Sequence, residues 1–138
     1  MSIRSCFLID DDDDDRDIFA LALQKANGEN ECIMAKNGID AVKIINEENF
    51  TPTYIFVDLN MPLMSGKECL QVLKKSRFAR IPVIVYTTSS NTKDIEETQR
   101  LGATHYLVKP TSVSILSRIL TNLFNGGKLP YYLCSETV

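Results

Sequence analysis

The sequence predicts an open α/β sheet of five buried parallel strands flanked by five helices. Three observations lead there. Five short apolar runs recur along the chain: Cys6-Phe7-Leu8-Ile9, Cys32-Ile33-Met34-Ala35, Tyr54-Ile55-Phe56-Val57, Pro82-Val83-Ile84-Val85-Tyr86 and Tyr106-Leu107-Val108. Each run is continuous rather than alternating, as expected of strands buried on both faces. Each is followed by a segment with helical signals, so the chain reads as a βαβ series. At 138 residues it suffices for one domain and is short for two.

The helical segments follow in order. After the first strand comes a run of six aspartates, Asp10 to Asp15. Asp12 is the expected N-cap, with Asp13 to Asp15 as solvated residues of a first turn whose dipole favours acids. Ile18, Phe19, Ala22, Leu23 and Ala26 form one apolar face, and Asn27-Gly28 ends the helix. The second helix follows Asn37-Gly38 and turns Ala41, Val42 and Ile45 inward. The third follows Ser65-Gly66, with Cys69, Leu70 and Leu73 facing the core. The fourth, residues 92–101, offers only Ile95, Thr98 and Leu101, so it is expected to be the least firmly held. The fifth, residues 111–124, carries Val113, Leu116, Leu120 and Leu123 before Gly126-Gly127 stops it. Residues 125–138 form a tail whose stretch from Lys128 to Cys134 is apolar and aromatic. It either packs back on the domain or serves a partner.

Composition narrows the function. A net charge of −3 and a pI near 5.1 give no electrostatic basis for nucleic-acid binding. No apolar run reaches the roughly 20 residues needed to cross a membrane, and Met1-Ser2-Ile3-Arg4-Ser5 lacks the apolar core of a secretion signal. The four cysteines, Cys6, Cys32, Cys69 and Cys134, are widely spaced, and three sit in apolar stretches. Free thiols in a reducing cytoplasm are therefore expected.

The strand ends carry the chemistry. In open α/β sheets, ligands bind beyond the carboxyl ends of the strands. Standing there are Asp10-Asp11, Asp58, Thr87-Thr88 and Lys109-Pro110. Carboxylates that share a site need a cation, a proton or a lysine to offset them. An oxygen-only ligand set suits a hard cation such as Mg²⁺. A lysine and a hydroxyl beside it suit the oxygens of a phosphoryl group. The lone His105 has no nucleophile to serve and reads as a loop or strand-edge residue.

Taken together, four motifs resemble the receiver domain of two-component response regulators. They are Phe7-Leu8-Ile9-Asp10-Asp11, the stretch from Val57-Asp58 through Asn60-Met61-Pro62 to Ser65-Gly66, Pro82 through Thr87, and Gly102 through Lys109-Pro110. The likeness spans residues 4–124 and implies a flavodoxin-like fold with strand order 2-1-3-4-5 and a receiver domain over residues 1–124. It implies that Asp58 accepts a phosphoryl group from a histidine kinase or histidine phosphotransfer protein. Asp10, Asp11, Asp58 and the backbone carbonyl of Asn60 would hold Mg²⁺, and Thr87 and Lys109 would hold the phosphoryl oxygens. Thr87 would move toward the phosphate while Tyr106 turns inward, reshaping the surface of the fourth helix, fifth strand and fifth helix. Thr88, Asn60, Ser89, Asp13 and Thr111 depart from the commonest pattern or stand at its variable positions.

On that resemblance the protein is a cytoplasmic signalling switch that supports only its own phosphorylation and dephosphorylation. It would act as a monomer or phosphorylation-dependent dimer. With no output domain expected after residue 124, the signal would pass to a protein target or along a phosphorelay. A receiver-like scaffold that is not phosphorylated is the alternative. A haloacid-dehalogenase-like phosphatase, suggested by Asp10-Asp11-Asp12, needs an acidic pair after Lys109 that the sequence lacks. An EF-hand loop starting at Asp10 would need Gly where Asp15 stands and Glu where Leu21 stands.

Overall fold

In the computed structural model, which describes residues 3–47 and 49–136, the strands are β1 Arg4–Ile9, β2 Asn30–Ala35, β3 Tyr54–Val57, β4 Val83–Thr87, β5 His105–Val108 and β6 Tyr132–Leu133. The helices are α1 Asp13–Lys25, α2 Gly38–Glu47, α3 Gly66–Lys74, α4 Thr92–Arg100 and α5 Val113–Phe124. All strand pairs are parallel, in the order β2-β1-β3-β4-β5-β6. Met1-Ser2 of the N-terminal stretch and the last two residues of the tail lie outside the described residues.

Burial explains the unbroken apolar runs. Side chains alternate across a strand, and both faces of the central strands are covered, whereas β2, expected to be buried like the rest, lies at the sheet edge and is mostly half-buried. Phe7, Ile9, Ile55, Val57, Val83 and Val85 pack with Ala41, Ile45, Cys69, Leu70 and Leu73 of α2 and α3. Cys6, Leu8, Phe56, Ile84 and Leu107 pack on the other side with Phe19, Ala22 and Leu23 of α1 and Leu116, Ile119, Leu120 and Leu123 of α5. Fully burying each such large side chain contributes about 1.5–3 kcal/mol. Cys6 and Cys69 are buried and Cys32 and Cys134 half-buried.

Local chemistry sets the helix starts. Asp12 accepts from the Asp15 N–H at 2.9 Å, as its N-cap reading required. Asn37 accepts from Asp40 N–H at 2.7 Å at the head of α2. Ser65 and Glu68 form a capping box at α3. The expected weakness of α4 holds for its apolar face: Thr98 is its only buried residue among those described. Polar ties take the place of apolar packing. Lys67 Nζ reaches Asp94 at 2.7 Å and Glu97 at 2.8 Å, joining α3 to α4.

The sheet has one strand more than expected, and the tail supplies it. Chain leaving α5 returns along the free edge of β5, pairing Tyr106 with Tyr132 and Leu107 with Leu133. The Tyr106 N–H donates to Tyr131 O at 2.8 Å, and His105 Nδ1 lies 2.9 Å from Pro130 O. Leu133 is fully buried, and the Tyr131 hydroxyl lies 2.7 Å from Thr98 Oγ1 of α4. The reading in which the tail packs back on the domain is the one the structure shows. A sequence pattern two residues long is too short to announce a strand; the exposed edge of β5 recruits it. Leu133→Ala should therefore lower the urea unfolding free energy by about 2 kcal/mol. An unchanged midpoint would mean that the tail is not docked in solution.

Candidate functional site

The parallel register brings the strand ends to one edge. The Asp58 N–H donates to Ile9 O at 3.0 Å and the Asp10 N–H to Ala35 O at 3.1 Å. The Lys109 N–H donates to Thr87 O at 2.7 Å. Asp10 and Asp58 thus follow the adjacent central strands β1 and β3, where the chain order reverses and a crevice forms. Asp10, Thr87 and Asp58 are buried, Asp11 is exposed, and Lys109 keeps only 6% of its side chain accessible. Asn60 is exposed on the β3–α3 loop.

One ammonium group touches three carboxylates. Lys109 Nζ lies 2.8 Å from Asp10 Oδ2, 2.8 Å from Asp15 Oδ2 and 3.4 Å from Asp58 Oδ2. Burial works against its charge, but the close contacts with Asp10 and Asp15 and the field of Asp58 outweigh it and raise its pKa. Burial raises the pKa of Asp10, against the pull of Lys109 and the Asp12 N–H. The Lys109 ammonium also sits 5.2 Å from the centre of the Tyr86 ring.

The site suits a metal ion. Asp10, Asp11 and Asp58 each offer a carboxylate oxygen, all within 4.8 Å of one another. Asp10 Oδ1 is occupied by the Asp12 N–H at 3.0 Å. Its Oδ2 is buried and accepts no well-directed hydrogen bond, although Lys109 lies close by in charge contact. A buried carboxylate oxygen left with open lone pairs is the donor a hard cation would use.

Three neighbours escaped the sequence reading. Asp15, expected to be solvated, is bonded to Lys109, because N3 of the helix turns toward the sheet edge. Arg16 is buried, donates to the Asp10 carbonyl at 2.8 Å and also pairs with Asp13. Its only sequence signal is a lone cation interrupting seven acidic positions. Gly66, read only as a helix start, packs against the backbone beneath Asp58. A Cβ there would come 2.2 Å from Asp58 O and 2.5 Å from Leu59 Cα.

A polar chain leads from the site to α4. The Ser89 N–H donates to Thr87 Oγ1 at 3.4 Å, a long bond, and Ser89 Oγ donates to Asp94 at 2.9 Å. The Tyr106 hydroxyl donates to Ser89 O at 2.9 Å. Tyr106 is fully buried, its ring near those of Tyr131 and Tyr132 of the tail.

Fold and site together define a doubly wound α/β protein with an acidic, lysine-tied centre at its switch point. Residues 6–121 match the family model of the response regulator receiver domain, and the chain belongs to that family. Receiver domains of this family are signalling switches of two-component systems. Among curated relatives, the probable transcriptional regulator ycf29 of Pyropia yezoensis is 37% identical over 91 residues, covering 65% of this chain and 40% of the relative. The protein-glutamate methylesterase/protein-glutamine glutaminase of Methanococcoides burtonii is 32% identical over 102 residues, 67% of this chain and 28% of that one. The chain thus spans less than half the length of either. Response regulator Rcp1 of Synechocystis sp. is 28% identical over 84% of this chain and 83% of its own. The phosphorylated cyanobacterial phytochrome response regulator RcpA superposes with a TM-score of 0.81 at 27% identity, covering 94% of this chain and 99% of its own. The Mn(2+)-bound form of Rcp1 gives 0.77 at 26% identity, covering 92% and 99%.

The crowding at Gly66 yields a prediction. Gly66→Ala forces backbone rather than a flexible side chain to move, so it should cost at least about 2 kcal/mol in urea unfolding. Gly127→Ala, where an added Cβ meets nothing within 4 Å, should stay within about 0.5 kcal/mol. Equal effects would remove the argument from close approach.

Proposed function

We propose that this protein is a phosphoacceptor switch in which Asp58 takes a phosphoryl group from the phosphohistidine of a sensor histidine kinase or a histidine phosphotransfer protein. An Asp58 carboxylate oxygen forms the new P–O bond as the P–N bond to the donor imidazole breaks, and the imidazole leaves with the electron pair and takes up a proton. The reaction is mainly positioning and charge neutralisation. Support comes from one juxtaposition: the Lys109 ammonium lies 3.4 Å from Asp58 Oδ2 at the edge where Asp10 and Asp11 also stand.

In this reading Lys109 and the Thr87 hydroxyl donate to the phosphoryl oxygens. Asp10, Asp11, Asp58 and the backbone carbonyl of Asn60 would hold Mg²⁺. When bound, that ion offsets the carboxylate and phosphoryl charge. The similar structures include RcpA in phosphorylated form and Rcp1 in Mn(2+)-bound form.

The output follows from the Thr87–Ser89–Tyr106 chain. A Thr87 side chain drawn to a phosphoryl oxygen gives up its bond from Ser89, which also holds Tyr106 and Asp94. The inward turn expected of Tyr106 is already made in this structure, where its buried ring lies beside Tyr131 and Tyr132 of the tail. The α4–β5–α5 surface and the tail then change together, a two-state response to one added charged group. The partner is a protein target or the next carrier of a phosphorelay. We take residues 1–124 as the receiver domain and 125–138 as a tail, cytoplasmic, and monomeric or dimerising on phosphorylation.

Two experiments test this. Incubation with Mg²⁺ and acetyl phosphate or a phosphohistidine donor should give an acid-stable, base-labile adduct on Asp58, read by mass spectrometry. Labelling of Asp58→Ala as strong as wild type would sink the assignment. In calorimetric titration, Asp11→Ala should weaken Mg²⁺ binding at least about tenfold, while Asp14→Ala changes it less than about twofold. Similar losses in both would point to a diffuse acidic patch.

A further inference from the structure

We propose that Asp15 is a positioning residue that holds a donor of the Lys109 ammonium until a phosphoryl oxygen replaces it. The inference rests on the reading of Asp58 as phosphoacceptor and adds a residue to it.

An ammonium has three N–H donors, and Lys109 faces three carboxylates: Asp10 and Asp15 at 2.8 Å each and Asp58 at 3.4 Å. It donates hydrogen bonds to Asp15 and Asp58 and stands in charge contact with Asp10, so a phosphoryl oxygen approaching the ammonium competes with one of the three. Asp10 is wholly buried, so its carboxylate has no solvent to turn into. Asp58 is the reacting group itself. The Asp15 side chain is 29% exposed and can turn into solvent at little cost. Its backbone is pinned by the bond from its N–H to Asp12 Oδ1 at 2.9 Å, so the side chain swings while the helix start stays.

Asp15 also stands apart from the Asp10, Asp11 and Asp58 cluster that could hold a cation. It thereby contributes to Lys109 and not to the metal ligand set. It carries one negative charge and presents its oxygen to the lysine as a phosphoryl group would. Asp15 keeps the lysine aligned in the resting protein and sets a threshold that the incoming group must exceed.

The test compares the full chain with Asp15→Asn, with Asp15→Ser as a second variant should the first fold poorly, and with Asp14→Asn as a control for the same change of net charge. Each is labelled with acetyl phosphate and Mg²⁺, the P–O bond to acetate breaking as the bond to Asp58 forms. Asp15→Asn should label about two- to fivefold faster than both wild type and Asp14→Asn, the rate equivalent of releasing one partly exposed ion pair. Mg²⁺ affinity should stay within about twofold of wild type. A second readout needs no phosphoryl donor: the Lys109 ammonium protons, followed by NMR in metal-free protein, should exchange with water faster in Asp15→Asn than in Asp14→Asn. A labelled wild type that Asp15→Asn does not outpace overturns the role of Asp15 alone. So does a large fall in Mg²⁺ affinity, which would make Asp15 a ligand. No label on Asp58 in any form overturns the phosphoacceptor reading and this proposal with it.

Discussion

The structure depends on the neutralisation of buried carboxylates at the end of β1 and β3. Two full charges 4.8 Å apart repel by about 3 kcal/mol even at an effective dielectric of about 20. Asp11 is exposed and screened by water, but Asp10 and Asp58 are not. A domain whose whole stability is about 5–15 kcal/mol cannot leave that repulsion unopposed. Lys109 opposes it, and β5 must run beside β4 for the lysine to reach. The order of the central strands, the place of the site and the stability of the domain are in this respect one problem.

The same constraint explains how the site can speak to a distant surface. Apolar packing holds α1 and α5 firmly, but α4 is fastened by Lys67 to Asp94 and Glu97, by Ser89 to Asp94 and by Tyr131 to Thr98. Exposed or half-exposed polar ties of this kind are individually weak. They can be exchanged without opening the core. An element so fastened can move while the sheet stays fixed, which is what a switch built on a rigid scaffold needs. The tail enters this set through Tyr131, which touches both Thr98 of α4 and the ring of Tyr106, the residue bonded to Ser89.

Much of this was legible in the residues. Strands buried on both sides leave continuous apolar runs, and all five were readable because the helices that cover them also show their spacing. That Asp10, Asp11, Asp58, Thr87 and Lys109 share one edge was readable because each stands at the end of a strand or within two residues after it, where chain direction alone brings them together. What escaped reading depends on contacts across the fold. Nothing local tells that the third residue of α1 faces β5, so Asp15 looked like its neighbours. Arg16 is spent on the Asp10 carbonyl, a bond that needs the helix direction to be known. The sixth strand is two residues long and exists because an edge was available. Gly66 was legible as a helix start, but its close approach to Asp58 was not.

The six aspartates show why composition is a poor guide to charge chemistry. In sequence they are one acidic patch; in the fold their environments differ at nearly every position. Asp10 is buried against a lysine, Asp11 faces solvent at the cluster edge, and Asp12 caps α1. Asp13 pairs with Arg16, Asp14 is exposed in the first turn, and Asp15 returns to the same lysine as Asp10. The division follows from geometry. A strand end projects its last residues past the sheet, and a helix beginning two residues later rotates each following side chain by about 100°. One turn of that rotation carries position 13 and 14 to solvent and brings position 15 back to the edge. A run of identical residues across a strand-to-helix junction is therefore sorted by backbone alone into a buried anchor, a cap, solvated charges and a second contact to Lys109.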